Sequence, residues 1–387
     1  MGNKFIPYGS QWIDDKDIKE VKAALKSDFL TTGPKIDEFE EKFAEYVDAE
    51  YAVAVANGTA ALHSANFAAG ISKGDEVVTT PITFAATANS VLYQGGTPVF
   101  ADIDEKTYNI DPKSIKEKIT DKTKAIIPVH YNGQPCAMDE IKEIADRYDL
   151  TIIEDGAHAL GATYKDKKVG SIGDMTTFSF HPVKHITTGE GGMITTDSKE
   201  LYNKLKQFRT HGITKDESNY INETDGPWYH EQQMLGFNYR MTDIQCALGI
   251  SQLEKADKFL KRRREIADKY NNAFKDMEGI KIPYQAKNTN SSWHIYVIQL
   301  ELDKLNTDRK EIFEELQKEN LGVNVHYIPV YYHPYYQSLG YEKGLCANAE
   351  KLYERIITIP LFPKMSYNLE KKVVNTVKNT IFRYLIN

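Results

Sequence analysis

From about residue 14 to residue 250 the chain alternates helical segments with short, continuous apolar strands, and that alternation restricts its fold more than any other feature. Helical spacing runs over Asp15 to Lys26, Lys35 to Tyr46, Ala60 to Ala69, Thr83 to Tyr93 and Met138 to Tyr148. Between these lie Tyr51 to Ala56, Glu76 to Thr80, Pro98 to Asp102, Thr123 to Pro128, Leu150 to Glu154 and Met175 to Phe180. Each is short and largely apolar or β-branched. A strand that is apolar on both faces must be covered on both faces. An α/β domain with a mainly parallel sheet is therefore expected.

Lys255 to Phe274 reads as a long charged amphipathic helix crossing to a smaller C-terminal part. There Trp293 to Leu300 and Gly322 to Ile328 read as strands, and Asp308 to Asn320 and Asn368 to Tyr384 as helices. A chain of 387 residues accommodates two domains, divided here as 1–255 and 256–387.

Bulk properties exclude several classes. The net charge of −7 provides no basic footprint for nucleic acid or an anionic membrane surface, so neither is expected as a partner. The three cysteines, Cys136, Cys246 and Cys346, are widely spaced and form no CxxC pair, which argues against a disulfide framework or a zinc site. No apolar run approaches the roughly 18 residues a membrane helix needs. Met1 to Ile6 lacks the apolar core of a signal peptide, so a cytoplasmic location is expected. There is no GxGxxG after a strand, no GxxxxGK[ST], no HExxH and no GxSxG. Nicotinamide, P-loop, metal-dependent and serine-hydrolase readings all lack their fingerprints, and no metal ligands are assigned.

One pair of residues carries a specific chemistry. Asp155 follows Ile152-Ile153-Glu154 and should project from the carboxyl end of a strand, where open α/β sheets place ligands. Lys184 follows Phe178-Ser179-Phe180-His181-Pro182-Val183 and precedes the turn Gly189-Glu190-Gly191-Gly192. Alone, either residue reads as ordinary surface polarity. Together they are what pyridoxal 5′-phosphate (PLP) demands: an amine that captures the aldehyde, and a carboxylate that keeps the pyridine nitrogen protonated. Gly58 and Thr59, in Asn57-Gly58-Thr59-Ala60-Ala61, form a turn into a helix that can hold a phosphate, although Thr59 also reads as a simple N-cap. Ser179 is a second hydroxyl candidate, or a strand residue facing solvent. Phe84 is placed either to stack on the cofactor ring or in the core. His158 can hydrogen-bond Asp155 or stack near the ring. His181 and His185 flank the lysine, and Asn238 and Arg240 yield no assignment from local pattern.

These residues, in this order, resemble the DegT/DnrJ/EryC1/StrS sugar aminotransferases over nearly the whole chain. The resemblance runs through Thr31-Thr32-Gly33-Pro34-Lys35, Pro81-Ile82-Thr83-Phe84-Ala85-Ala86-Thr87-Ala88, Pro128 to Pro135, Glu154-Asp155, the Lys184 segment, Gly236 to Met241 and Val325-His326-Tyr327. Within the family, Ala157-His158-Ala159-Leu160-Gly161-Ala162 and Ile186-Thr187-Thr188 look most like the 4-aminotransferases of pseudaminic acid synthesis.

The resemblance implies a fold-type-I, aspartate aminotransferase-like PLP enzyme. It implies a large domain on a mainly parallel seven-stranded sheet, a smaller α+β C-terminal domain, and a homodimer with shared active sites. Lys184 would bind the cofactor covalently and Asp155 would pair with its pyridine nitrogen. Gly58, Thr59 and Ser179 would hold the phosphate, Asn238 would reach the phosphate of the other subunit's cofactor, and Phe84 would stack on the ring. Tyr8, Thr32 and Tyr327 would meet the sugar nucleotide, with His181 and Arg240 as further substrate candidates. The implied reaction moves the amino group of L-glutamate to C4 of a UDP-linked 4-keto-6-deoxy-2-acetamido sugar. Other nucleotide-linked keto sugars are alternative acceptors. A PLP sugar dehydratase would carry histidine in place of Lys184, a position next to His185. A non-catalytic PLP-binding regulator would lack the lysine, and a desulfurase-like enzyme would need a poised loop cysteine, for which Cys346 is the candidate.

Overall fold

In a computed structural model that describes residues 5–386, the central sheet holds seven strands. They are β1 (Tyr51–Val55), β2 (Glu76–Thr79), β3 (Thr97–Phe100), β4 (Thr123–Ile127), β5 (Thr151–Asp155), β6 (Met175–Ser179) and β7 (Gly192–Thr196). The order across the sheet is β1-β7-β6-β5-β4-β2-β3. β3, β2, β4, β5 and β6 pair in parallel, and β7 is antiparallel to both β6 and β1. The mainly parallel sheet expected from the apolar strands is present. Met1 to Lys4, part of the segment read above for a leader, lie outside the described residues.

β7 was not expected, because its sequence Gly-Met-Ile-Thr-Thr directly follows a glycine-rich turn that reads as loop. It is fully buried between β1 and β6 and reverses the local chain direction. Gly192 pairs with Val55 on one side and with Ser179 on the other.

Helices cover the sheet on both faces. The first are α1 (Asp15–Leu25), α2 (Pro34–Val47), α3 (Gly58–Ala68), α4 (Ala86–Tyr93) and α5 (Met138–Tyr148). α6 (Asp243–Leu253) starts at a capping box of Thr242 and Gln245. Asp243 accepts hydrogen bonds from the N–H groups of Gly33 and Lys35, which fixes the start of α2 against α6. α3 is buried on most sides, its Ala, Leu, His, Ser and Asn residues enclosed between sheet and neighbouring helices.

The 19-residue α7 (Ala256–Phe274) leads into a second body. β8 (Ile280–Lys281), β9 (Tyr296–Leu300) and β10 (Ile356–Ile359) form an antiparallel sheet there, covered by α8 (Arg309–Lys318) and α9 (Tyr367–Arg383). Ile6 packs into the same core as Ile266, Tyr270, Ile298 and Val377. The strand expected over 322–328 is absent. The Gly322 N–H donates to the Ile6 carbonyl and the Ile6 N–H to the Asn320 carbonyl, Asn324 pairs with Thr358, and then the chain peels away. Departure from the sheet turns Tyr327 toward the first domain's strand ends.

A buried ion pair ties α2 to the sheet. Glu40 accepts from Arg209 and from the Ala54 N–H, and Arg209 also donates to the Ala54 carbonyl at 2.6 Å. Arg209→Leu would leave the Glu40 carboxylate buried, held by the Ala54 N–H at 2.8 Å and with Lys206 Nζ 3.4 Å from its second oxygen as the cation in reach. The expected loss is about 3 kcal/mol, measured by chemical denaturation. Changing Glu40 to leucine as well should recover part of it.

Candidate active site

A cavity of about 760 Å³ opens where β1, β5 and β6 end and the 322–328 segment crosses above them. Each wall is explained by the element that supplies it.

β5 delivers Asp155, 5% exposed, whose Oδ2 accepts from the Thr87 hydroxyl at 2.7 Å while Oδ1 accepts from the Ala157 N–H at 3.1 Å. Thr87 sits in the first turn of α4 and is itself bonded to Thr83. The neighbouring Glu154 points to the opposite face, as strand alternation requires, and pairs with buried His130 at 2.7 Å.

β1 runs into α3. Asn57, not Thr59, is the N-cap, its side chain accepting from the Ala60 N–H at 2.8 Å, and the helix starts at Gly58. The first-turn N–H groups of a helix have no intrahelical partner, and here they face the cavity beside Ser179. A Cβ on Gly58 would lie 2.8 Å from Ser179 Cβ, so only glycine allows that approach. Ser179 is half-buried against this cup rather than turned to solvent.

Beyond β6, Lys184 lines the cavity. Burial pulls its ammonium down to about 8, against the attraction of Asp155 and with help from the positive charge of Arg263. His185 points elsewhere. Buried among β-sheet and loop atoms, its Nε2 faces the Ser292 carbonyl at 3.2 Å.

His158 makes no hydrogen bond to Asp155. Its Nε2 pairs with the Tyr327 hydroxyl at 2.9 Å, and its ring lies 4.3 Å from His294. Nδ1 of each of these two histidines is buried without a partner. Burial holds His158, His185 and His294 well below the ordinary histidine range, and His326 at about 3, so these imidazoles are neutral. Phe84 is 65% exposed at the mouth, which removes the core alternative, and its ring lies 6.4 Å from that of Tyr327. Tyr8 and His181 complete the rim.

Three expected site residues do not reach this cavity. Thr32 and Asn238 are exposed and Arg240 is half-buried, all outside the lining. Conversely, Thr87, His294 and His326 were missed. Thr87 lies in a segment already singled out and its spacing from Thr83 was a usable signal. His326 lies in the Val325-His326-Tyr327 segment already singled out, whereas nothing local marks His294; both arrive from the second body.

Cys346 is buried and its thiol is pushed up to about 12, mainly by burial. It is no poised nucleophile. Among the described residues, no cluster of histidine, cysteine and carboxylate side chains could hold a metal ion, and no helix is long and apolar enough to cross a membrane.

The arrangement fits PLP: an amine of lowered basicity, a buried carboxylate at a strand end, and a helix N-terminus with a hydroxyl for a phosphate. The fold is that of an α/β PLP-dependent aminotransferase. Residues 11–378 match the model of the DegT/DnrJ/EryC1/StrS aminotransferase family, and the chain belongs to that family. Its cofactor is pyridoxal 5′-phosphate. The chain is 44% identical to the spore coat polysaccharide biosynthesis protein SpsC of Bacillus subtilis, covering 98% of both chains. It is 41% identical to a Campylobacter jejuni UDP-4-amino-4,6-dideoxy-N-acetyl-beta-L-altrosamine transaminase, over 98% of this chain and 97% of that one. The solved structure of Helicobacter pylori PseC, an aminotransferase of pseudoaminic acid biosynthesis, superposes with a TM-score of 0.91 at 33% identity, over 98% of this chain and 100% of that one.

An exposed lysine loses its proton near pH 10.4. In cofactor-free protein, acylation of Lys184 should instead rise through a midpoint near 8, because the neutral amine is the reactive form. Peptide mass spectrometry across a pH series measures this, and a midpoint equal to that of surface lysines would contradict the burial argument.

Proposed function

We propose that the protein transfers the amino group of L-glutamate to C4 of a UDP-linked 4-keto-6-deoxy-2-acetamido sugar, as in pseudaminic acid synthesis, in the cytoplasm. The observation that carries this reading is the meeting of Lys184, Asp155 and the Gly58–Ser179 cup in one cavity. The transaminase relatives supply the sugar class.

Lys184 is assigned as the lysine that binds the cofactor and Asp155 as the partner of its pyridine nitrogen. Gly58, Thr59 and Ser179 take the phosphate, Phe84 and His158 flank the ring, and Asn238 serves a second subunit's site in a homodimer. Tyr8, Thr32, His181, Arg240 and Tyr327 are assigned to the sugar nucleotide. Residues 1–255 carry the cofactor and 256–387 cover it. Bound PLP supplies an electron sink for the charge left when a proton leaves Cα of the donor. Lys184 Nζ is the group that takes that proton, which requires the neutral amine its burial favours. Asp155 Oδ1 and Oδ2, held by Ala157 and Thr87, stay aimed at one point while this happens. A water supplies the oxygen with which the donor leaves as 2-oxoglutarate, its nitrogen stays behind, and in the second half the acceptor's keto oxygen leaves as water.

Transamination is favoured over sugar dehydration because the residue lining the cavity is Lys184, while His185 is turned to the Ser292 carbonyl. The likeness to SpsC favours a second acceptor, another nucleotide-linked keto sugar used in a surface polysaccharide.

The test is a half-reaction. L-Glutamate should bleach the absorbance of the bound cofactor. After glutamate is removed, UDP- and dTDP-linked 4-keto-6-deoxy sugars are added singly. Return of the band with the UDP-linked L-arabino 4-ketose alone supports the proposed acceptor. Return with another sugar keeps the aminotransferase and changes its substrate. No bleaching by glutamate refutes the donor. Lys184→Ala should lower turnover at least ~10³-fold, and retained multiple turnover sinks its assignment.

A further inference from the structure

Three consecutive arginines, Arg262, Arg263 and Arg264, lie on α7 and meet different fates. Arg262 pairs with the Glu370 carboxylate. Arg264 is half-buried and donates to the Ser291 and Gly161 carbonyls. Arg263 is 0% exposed and, among the described residues, has no carboxylate within ion-pair reach. Its Nη1 donates to the carbonyls of His294 at 2.9 Å and of Trp293 and Leu361 at 3.3 Å, and Nη2 reaches the Val183 carbonyl at 3.5 Å. Its Nε has no partner.

Burying a guanidinium without a counter-charge costs several kcal/mol, and carbonyl dipoles offset only part of that. Packing alone would be served by methionine or leucine. What the guanidinium adds is location: Val183 immediately precedes Lys184, and His294 lines the cavity. We propose that Arg263 is a positioning residue for Lys184, holding the Val183 carbonyl in place and disfavouring a second positive charge at Lys184 Nζ. This inference rests on the assignment of Lys184 as the cofactor lysine.

The groups that act on Lys184 come from several elements. Asp155 at the end of β5 attracts a proton to it, and Arg263 from α7 repels one. His158, His185, His294 and His326 stand close enough to feel the lysine's charge, but burial keeps all four neutral. Burial pulls the Arg263 guanidinium down to about 9, above the value near 8 of Lys184, so Arg263 is the cation opposing Asp155 while the lysine titrates.

The experiment titrates the absorbance of the bound cofactor against pH in the holoenzyme, which reports protonation of the nitrogen that Lys184 contributes. Arg263→Gln and Arg263→Met should raise the midpoint by about one pH unit, because a repelling charge is gone. Arg263→Lys keeps the charge and should stay within about 0.3 unit of the unaltered enzyme. A merely structural role predicts no such split between neutral and charged variants. Equal midpoints in all four proteins, or equal shifts in all three variants, overturn the inference. If Arg263→Met does not accumulate as folded protein, Arg263→Gln, which keeps donors for the surrounding carbonyls, is the deciding variant: a raised midpoint supports the charge argument and an unchanged one overturns it. Borohydride reduction of the unaltered holoenzyme separates the two assignments. Failure to fix PLP on Lys184 refutes the lysine's role, whereas fixed PLP with an unmoved midpoint in Arg263→Gln refutes only Arg263's.

Discussion

The site depends on how closely β1 and β6 approach through the reversed strand between them. Gly192 pairs with the last residue of both, Val55 and Ser179. A Cβ there would stand 2.5 Å from the Asn57 carbonyl oxygen, and one on Gly58 would strike Ser179. Two absent side chains therefore let the N-terminus of α3 sit directly against the end of β6. Everything else is placed from that contact. The chain leaving β6 must pass over the α3 cup, which brings Lys184 above it, and Asp155 ends the adjacent strand in register with Thr177. A larger residue at either glycine would move the anion-binding cup relative to the amine.

Electrostatics follow from the same burial. Four imidazoles around the cavity are stripped of charge by desolvation, so they act as neutral donors, acceptors and ring surfaces. That leaves Asp155 and Arg263 as the opposing charges that act on Lys184. The lysine sits between a carboxylate that favours its ammonium and a burial and guanidinium that oppose it. The balance near 8 is what a group needs if it must alternate between accepting and releasing a proton at neutral pH.

Legibility in the sequence tracked how local each signal was. The α/β layout was readable because buried parallel strands are apolar on both faces, and Asp155 and Lys184 stood out because one closes such a strand and the other follows shortly after one. β7 was not readable, since five residues after a Gly-rich turn carry no period, and only pairing on both sides makes them a strand. The 322–328 segment failed in the opposite sense. Its alternation is real, but its residues serve the N-terminal segment, Thr358 and the cavity in turn rather than one ladder. Arg263 was invisible inside a charged amphipathic helix, because nothing in Lys-Arg-Arg-Arg says which cation faces inward.

The cavity's charge inventory bears on why Thr32, Asn238 and Arg240 lie outside it. Among the described residues, Lys184 is the lining's lysine, no arginine lines it, and Asp155 and Glu190 contribute acids. A PLP phosphate and a nucleotide diphosphate would bring several negative charges to that volume, more than one lysine and one helix N-terminus balance. The five histidines of the lining add hydrogen bonds, and burial withholds the charge of His158, His294 and His326. The proposed reading brings Asn238 of a second subunit to this site, and of the three residues outside the lining Arg240 is the cation. Asn238 and Thr32 are exposed, and Arg240 keeps a buried Nε without a partner, so all three are free of competing roles in their own chain's cavity. On that reading the sugar nucleotide binds tightly only where two copies of the chain meet, and substrate affinity becomes coupled to assembly.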